Sequence, residues 1–169
     1  MSLQKILITV HDNLERENIE HALIGGLGLA SLGIQRATFD VDLLVDGKDK
    51  ARISQLMTSL GWQIAMETSE VLHFSGNGRV DFLLANRPLG LEMLSLAKPG
   101  ALGIRVVGPE GIIGLKIQAY KNSPRRELQD KADILSLMEK FPKLDWKRVK
   151  EYADLFDEWQ EIERIKNTL

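Results

Sequence analysis

The sequence predicts an α/β (α+β) fold, in which a small mixed sheet flanked by helices is followed by a C-terminal helical region. Between residues 21 and 107, apolar and polar residues alternate in several short segments, as they do in half-buried strands. Around these segments apolar residues recur every three or four positions, which is typical of amphipathic helices. From Pro109 onward only the helical pattern remains. We therefore predict a core over residues 1–108 and helices packed on it over residues 109–169.

The composition is that of a globular protein that can bury an apolar core. The chain has 169 residues, of which 44% are hydrophobic and 27% are charged. Its net charge of −2 gives no overall basic field for nucleic acid. The absence of cysteine excludes disulfides and thiolate metal sites. The apolar run over residues 6–10 is too short for a signal peptide or a bilayer span, so we expect a cytoplasmic protein with no membrane partner.

The pattern assigns each segment in turn. Before Gly47 the pattern predicts a helix over residues 3–16, a strand over residues 22–24 and a turn at Gly25-Gly26. It then predicts a helix over residues 27–32, ended by Gly33, and a second strand over residues 39–45. After Gly47 the pattern predicts a helix over residues 48–60 and three strands over residues 62–66, 71–75 and 79–85. A helix over residues 89–96 and a strand over residues 102–107 follow. The strands 71–75 and 79–85 are joined by a hairpin turn rich in glycine and asparagine.

The C-terminal region is predicted to contain three or four helices. The first begins at Pro109, and the second covers residues 124–140 with Ser123 as its N-terminal cap. Asp145 is expected to cap a final helix or helix pair. The aromatic stripe from Trp146 to Trp159 is most simply explained as core.

The second predicted strand carries two aspartates on one face. Its apolar side chains occupy the odd positions Phe39, Val41, Leu43 and Val45. Asp40 and Asp42 lie between them and point to the other face. Their Cα atoms are expected about 7 Å apart, a spacing that two divalent ions can bridge. A solvated acidic face is the alternative, although aspartate is depleted in strands.

A third carboxylate and a glycine turn extend this pattern. Asp81 lies on the polar face of strand 79–85 and joins Asp40 and Asp42 if the two strands are neighbours. Three carboxylates suit Mg²⁺, which takes oxygen ligands and substrate phosphates. Gly25 and Gly26 lack Cβ atoms, so their backbone N–H groups can approach a phosphate at the start of the following helix.

The segments that carry a family resemblance are Ile24-Gly25-Gly26, Arg36-Ala37-Thr38, Asp40-Val41-Asp42-Leu43-Leu44, Asp81, Leu115-Lys116 and the spaced set Arg126, Asp130 and Asp133. On these residues the chain resembles nucleotidyltransferase-fold (polymerase beta-like) proteins of the AbiEii type and their uncharacterised relatives, over about residues 21–140. The resemblance implies the nucleotidyltransferase fold. The chain departs from the best-studied members at Gly26, where they often have serine.

The resemblance also implies an activity. Asp40, Asp42 and Asp81 would be catalytic residues that hold two Mg²⁺ ions, and Asp81 could orient or deprotonate the acceptor. Gly25 and Gly26 would contact the phosphates of a nucleoside triphosphate. A nucleoside monophosphate would pass to a hydroxyl of RNA or protein, and the context that the resemblance implies is a toxin–antitoxin or phage-defence pair. The alternative is a catalytically inactive module of the same fold that binds a nucleotide or a partner.

Three further residues are assigned to nucleotide binding. Arg36 and Thr38 directly precede the acidic strand, and Arg36 could hold an aspartate or meet phosphate. An ordinary surface arginine is the alternative. Lys116 lies between apolar neighbours, so its ammonium could emerge into a cleft and meet phosphate, or it could be a snorkelling surface lysine.

The remaining charged residues are more simply structural. Arg126 and Asp130 are four residues apart on a predicted helix, which favours an ion pair. Asp133 could join that pair or face the cleft, and we favour the structural role. The histidines have no spacing typical of a metal site or a catalytic triad and are interpreted as structural or surface residues: His11, His21 and His73.

Overall fold

The computed structural model describes all 169 residues, which form two compact units. The first covers Met1–Val107 and contains a mixed sheet with four helices, and the second covers Gly108–Leu169 and contains four helices. None of the eight helices combines the length and the apolar character that crossing a bilayer requires. The predicted α/β class is confirmed.

All seven strands lie in the first unit and form one open sheet. They are β1 His21–Leu23, β2 Asp40–Asp46, β3 Gln63–Glu67, β4 Val71–Ser75, β5 Arg79–Ala85, β6 Lys98–Pro99 and β7 Arg105–Val106. Their order across the sheet is β3-β4-β5-β2-β1-β7-β6. The pairs β2–β5 and β1–β7 are parallel, and the other neighbours are antiparallel. The two longest strands, β2 and β5, are therefore neighbours within the sheet.

The helices of the first unit are α1 Leu3–Arg16, α2 Gly25–Ser31, α3 Lys50–Ser59 and α4 Pro88–Ser95. Those of the second unit are α5 Pro109–Asn122, α6 Glu127–Lys140, α7 Trp146–Asp154 and α8 Trp159–Lys166. Short 3-10 turns cover Gly47–Asp49, Ala101–Gly103 and Pro124–Arg126. The predicted C-terminal helix pair is present as α7 and α8.

The apolar face of β2 forms the core of the first unit. Val41, Leu43 and Val45 are fully buried and share a cluster with Val80 and Phe82 of the neighbouring strand β5. Apolar side chains of α1 and α3 complete the cluster on the same face of the sheet. The predicted alternation along this strand is therefore correct from residue 41 to residue 45, and the aspartates point away from the core.

Four local predictions differ from the structure. Helix α2 begins at Gly25 itself, so the two glycines form its first turn instead of preceding it. Phe39 lies outside β2 and its residue surface is 84% exposed, because the strand starts at Asp40. Only Arg105–Val106 remains of the last predicted strand, because a 3-10 turn replaces its beginning. Ser123 makes no side-chain cap, and its carbonyl oxygen accepts the backbone N–H of residue 126 instead.

The second unit is a four-helix assembly in which α5 packs against α6 and α7. Tyr152 lies so close to Gly114 that a Cβ there would be 2.8 Å from the ring, which explains the glycine in mid-helix. Asp145 caps α7 as predicted by accepting the N–H of residue 148 at 3.2 Å. Trp146 and Trp159 are only half-buried, with lysine ammonium groups over their rings, so the aromatic stripe is only partly core.

Candidate active site

Three carboxylates share one face of the sheet. In the parallel pair β2–β5, Asp42 lies directly beside Asp81, and Asp40 lies directly beside Arg79. Residues in register on neighbouring strands point to the same side, and positions two apart along a strand do so too. Asp40, Asp42 and Asp81 therefore stand together on the face opposite the core cluster.

Asp40 contains an oxygen that the fold leaves without a hydrogen bond. Its Oδ1 is buried and accepts no hydrogen bond. Nε of Arg79 is 3.4 Å from that oxygen, but the Arg79 side chain is 68% exposed and the pair lacks hydrogen-bond geometry. A buried carboxylate oxygen without a donor is unfavourable, and such atoms are rare in native proteins. This oxygen is suited to a ligand that supplies positive charge.

His73 contacts the third aspartate. It lies on β4 directly opposite Asp81, and the distance between His73 Nδ1 and Asp81 Oδ1 is 2.6 Å. The ring N–H donates to the carboxylate in this arrangement, which fixes the orientation of the Asp81 side chain. Sequence reasoning missed this partner. Part of the signal was available, since the sequence predicts this hairpin; its five residues 75–79 pair Phe74 with Val80 and therefore place His73 opposite Asp81.

The glycine bend lies against the acidic strand. Gly25 has φ +61°, and a Cβ at this position would be 2.2 Å from Oδ2 of Asp42. The N–H of Ile24 donates to the carbonyl oxygen of Asp42 at 3.0 Å, which holds the start of α2 against the strand. Only glycine satisfies both the backbone angle and the space. The predicted contact of this bend with phosphates remains a prediction.

Thr38 and Gly26 also fit closely together. A Cβ at Gly26 would be 2.5 Å from Cβ of Thr38, and the Thr38 hydroxyl donates to the carbonyl oxygen of Asp40 at 3.3 Å. Thr38 therefore supports the beginning of β2 on one side and the glycine bend on the other. Arg36 lies in the same connection between α2 and β2 and is half-buried. The nucleotide-binding roles of both residues remain predictions.

Lys116 lies in the second unit, on α5, and its ammonium is buried. Its Nζ is 3.1 Å from Oδ1 of Asp130 and 2.8 Å from Oδ2 of Asp133. The Lys116 side chain is 6% exposed, whereas both alternatives drawn from the sequence placed its ammonium at an accessible surface. The predicted pair between Arg126 and Asp130 is present at 3.2 Å. These contacts give Lys116 a structural role and offer no support for its predicted contact with nucleotide.

The donor set on the sheet fits a divalent metal ion that prefers oxygen. Three carboxylates share one face, one of their oxygens is buried without a donor, and the neighbouring backbone is kept free of side chains by Gly25. Carboxylate oxygens are the ligands of Mg²⁺ and Mn²⁺, and imidazole or thiolate ligands are absent from this set. Asp40, Asp42 and Asp81 are thus the residues that could hold the metal.

Comparisons with known proteins bear on the fold that carries these residues. A family model described as aminoglycoside-2''-adenylyltransferase matches residues 6–82, which include the glycine bend and all three aspartates. No curated protein matches the chain significantly. The solution structure of antibiotic-resistance factor ANT(2'')-Ia superposes with a TM-score of 0.69 and 18% identity, and the match covers 98% of this chain and 97% of that one.

Two further solved structures resemble the chain in fold. Lincosamide antibiotic adenylyltransferase LnuA with bound lincomycin matches with a TM-score of 0.54 and 17% identity, covering 79% of this chain and 94% of that one. A putative nucleotidyltransferase from Thermotoga maritima gives a TM-score of 0.56 and 13% identity, over 75% and 89% of the two chains. The predicted AbiEii-type subgroup is not confirmed. The chain has the nucleotidyltransferase fold, with its three strand aspartates on the open face of the sheet.

Proposed function

We propose that this chain is a metal-dependent nucleotidyltransferase that moves a nucleoside monophosphate from a nucleoside triphosphate to a hydroxyl group. The position of Asp40, Asp42 and Asp81 on one face of two neighbouring strands carries this proposal. The buried oxygen of Asp40 adds to it, because the fold leaves a negative charge there without a hydrogen-bond donor. The glycine bend beside Asp42 has no Cβ at Gly25, so its backbone can come close to a phosphate of the triphosphate.

The three aspartates would hold the metal, two Mg²⁺ ions in the arrangement that the resemblance implies. When bound, the metal neutralises the triphosphate and stabilises the leaving pyrophosphate. The acceptor hydroxyl oxygen forms a bond to the α-phosphorus, and the bond from that phosphorus to pyrophosphate breaks. Asp81 orients the hydroxyl and accepts its proton, and His73 holds Asp81 in position through the 2.6 Å hydrogen bond.

The positioning of the aspartates comes from the fold, not from flexible side chains. Asp42 and Asp81 are fixed by the strand register, and Thr38 supports the backbone at Asp40. Gly25 lies against the carboxylate of Asp42, which leaves no space for a side chain between this carboxylate and the bend. Rigid placement of charged groups of this kind is the main protein contribution to phosphoryl-group transfer.

We assign the acceptor to small hydroxyl compounds of the antibiotic type. The match to ANT(2'')-Ia extends over nearly the whole of both chains, and a second structure of that protein holds adenylyl-2''-tobramycin. The matching family model bears an aminoglycoside adenylyltransferase description. The sequence instead predicts RNA or protein acceptors in a toxin–antitoxin or phage-defence context. These acceptors are tested beside the small compounds in the experiment below.

The experiment measures pyrophosphate release by the purified chain with Mg²⁺ and each of the four nucleoside triphosphates. Tobramycin, lincomycin, total RNA and a protein extract serve as separate acceptors, and mass spectrometry locates the transferred nucleotide. We expect release only with an acceptor, its loss on chelation of the metal, and a small-molecule product heavier by one nucleotide group. The Asp42→Asn chain is the inactive control.

Two other outcomes are informative. A nucleotide attached to RNA or protein supports transfer but overturns the small-molecule assignment. Mg²⁺-dependent binding of triphosphate by calorimetry, without release of pyrophosphate with any acceptor, supports the inactive binding module. Absence of both transfer and metal-dependent triphosphate binding contradicts the proposed function.

A further inference from the structure

Two of the three histidines meet a glutamate at the junction of α1 and β1, away from the acidic face. Nδ1 of His11 is 2.8 Å from Nε2 of His21, and Oε1 of Glu15 is 3.9 Å from the same Nε2. One donor atom from each residue lies within 4.8 Å of the other two. His11 and Glu15 are four residues apart on α1, so their side chains share one face of the helix.

The hydrogen bonds of His21 fix its tautomer. Its Nδ1 is 2.8 Å from the carbonyl oxygen of Ile19, and a carbonyl can only accept, so Nδ1 carries the proton. The lone pair of His21 therefore lies on Nε2 and accepts the Nδ1–H of His11. A metal bound between these two nitrogens replaces that hydrogen bond, and the proton of His11 then moves to its Nε2. A ring N–H donated to a backbone carbonyl is the usual outer contact of a metal-binding histidine, because it orients the ring and raises its basicity.

His21 is the buried member of the cluster, with 3% of its residue surface exposed. By contrast, the Glu15 side chain is 64% exposed, so the cluster opens to solvent on that side.

We propose that His11, Glu15 and His21 form a site for one Zn²⁺ ion that joins α1 to β1. Two imidazoles and one carboxylate are a known zinc donor set, in which water completes the coordination. Imidazole ligands favour zinc over magnesium, which prefers oxygen. Two nitrogens bound to a tetrahedral ion lie about 3.3 Å apart, given bonds of about 2.0–2.1 Å. The gap of 2.8 Å must therefore widen slightly, and the half-buried His11 can move to do so.

This site is distinct from the proposed active site. His21 pairs with Val45 in the antiparallel β1–β2 ladder, so it points to the core face that α1 covers. Asp40 and Asp42 point to the opposite face, toward the other end of β2. A metal at the histidine cluster therefore has no part in nucleotide transfer, and its binding can be measured without reference to activity.

Zinc binding is tested by titrating the full chain with Zn²⁺ in excess Mg²⁺, which occupies the strand aspartates. We expect one Zn²⁺ per chain by calorimetry. At Zn²⁺ about 100-fold above the dissociation constant, the midpoint of thermal unfolding should rise by about 5–10 °C. His11→Gln should weaken binding at least about 100-fold and remove the shift. His73→Gln, which removes the histidine of the acidic face, should leave both unchanged.

The exposed position of Glu15 provides a second variant that does not disturb the core. Glu15→Gln keeps the size of the side chain and removes its charge, so it should weaken zinc binding about 10-fold or more without affecting folding. Absence of saturable binding by the unmodified chain overturns the proposal. Zinc binding that survives both His11→Gln and Glu15→Gln, or that is lost in His73→Gln, also overturns it.

Discussion

Aspartates gather in two places in this chain, and their surroundings are opposite. In the second unit, Asp130 and Asp133 are 0% and 4% exposed, and the Lys116 ammonium lies within 3.1 Å of both. Arg126 adds a second cation to Asp130 at 3.2 Å. In the first unit, the three strand aspartates share a partly accessible face. The one cation paired with Asp40 there is an exposed arginine, at a distance of 3.4 Å.

The difference separates charges that are compensated within the fold from charges that we propose are functional. A carboxylate buried with a well-placed cation is compensated within the fold, and removal of the cation leaves an isolated buried charge. Like charges brought together on one face of a sheet repel each other, and a bound cation relieves that repulsion. The cluster on α5 and α6 (Lys116, Asp130 and Asp133) is compensated within the fold. We propose that the cluster on β2 and β5 (Asp40, Asp42 and Asp81) is completed by a bound cation. Substitutions in the two clusters should therefore affect different properties.

The largest effect is expected from Lys116→Met. This change keeps the length of the side chain but leaves Asp130 and Asp133 buried with half of their compensating charge. The free energy of unfolding should fall by about 3–5 kcal/mol, the usual loss when one partner of a buried ion pair is removed. Urea denaturation followed by circular dichroism measures it.

The matched control for this change is Lys150→Met, in the same unit. Lys150 pairs with Asp154, but both side chains are about half exposed, at 49% and 51%. Exposed pairs contribute little, so this variant should lose less than about 1 kcal/mol. Equal losses in the two lysine variants would show that burial does not distinguish the clusters.

The second effect concerns activity, not stability. Asp42→Asn keeps the shape of the side chain and removes one of the strand charges. Transfer should fall by about 10²–10³-fold, equivalent to about 2.7–4 kcal/mol of transition-state stabilisation. The free energy of unfolding should stay within about 1 kcal/mol, because the repulsion between neighbouring carboxylates is relieved. Full transfer activity in this variant would contradict the assignment of Asp42.

A third effect tests whether the glycine bend positions the acidic cluster. In Gly25→Ala the new Cβ would overlap the carboxylate of Asp42, and the φ of +61° is unfavourable for alanine. Backbone strain alone should cost about 1–2 kcal/mol of stability, and displacement of Asp42 should reduce transfer about 10-fold or more.

Gly103→Ala is the control for that substitution. Gly103 has a similar φ of +74°, but a Cβ there meets nothing within 4 Å. The control should show the same backbone cost in thermal unfolding with normal transfer. Loss of transfer in both alanine variants would mean that strain, and not the position of Asp42, is responsible.

The acidic strand could be predicted because its evidence is local. Strand periodicity alone places Val41 and Leu43 inward and Asp40 and Asp42 outward, and no distant contact is needed to see it. The hairpin turn likewise identified β4 and β5 with their observed ends. Sequence patterns do not show which strands pair when they are far apart along the chain. The pairing of β2 with β5 places Asp81 beside Asp42.

Two unpredicted features depend on such distant packing. The sequence neighbours of Lys116 predict an exposed ammonium, but α6 places two carboxylates beside it. His11 and His21 have no metal-site spacing, because a helix and a strand bring their rings together. In both cases tertiary contacts override the local pattern. The error at Phe39 is local, since this residue continues the alternation in sequence but lies exposed before the first ladder pair.

The smallest effect concerns Glu158, which is intermediate between the two kinds of carboxylate. It accepts hydrogen bonds from the Tyr120 hydroxyl at 2.6 Å and from Lys121 Nζ at 3.0 Å, with its own side chain 15% exposed. Burial alone raises the pKa of this carboxyl, but the two hydrogen bonds outweigh burial and hold the pKa below its ordinary value of 4.5. Because Lys121 is 42% exposed, we expect Glu158→Gln to cost only about 1 kcal/mol at neutral pH.

The pH dependence of that cost identifies its source. A carboxyl with a lowered folded pKa binds fewer protons in the folded state than in the unfolded state, so its stabilisation is complete above pH 4.5 and is lost as the pH falls through the lowered value. The unfolding free energies of the unmodified chain and of Glu158→Gln should therefore converge in that acidic range. Tyr120→Phe, which removes one donor, should show a smaller acid-dependent loss than the unmodified chain. The difference in unfolding free energy between the unmodified chain and Glu158→Gln could instead stay constant from neutral pH into acid. That result would mean that packing, and not charge, stabilises Glu158, and that this residue resembles neither cluster of aspartates.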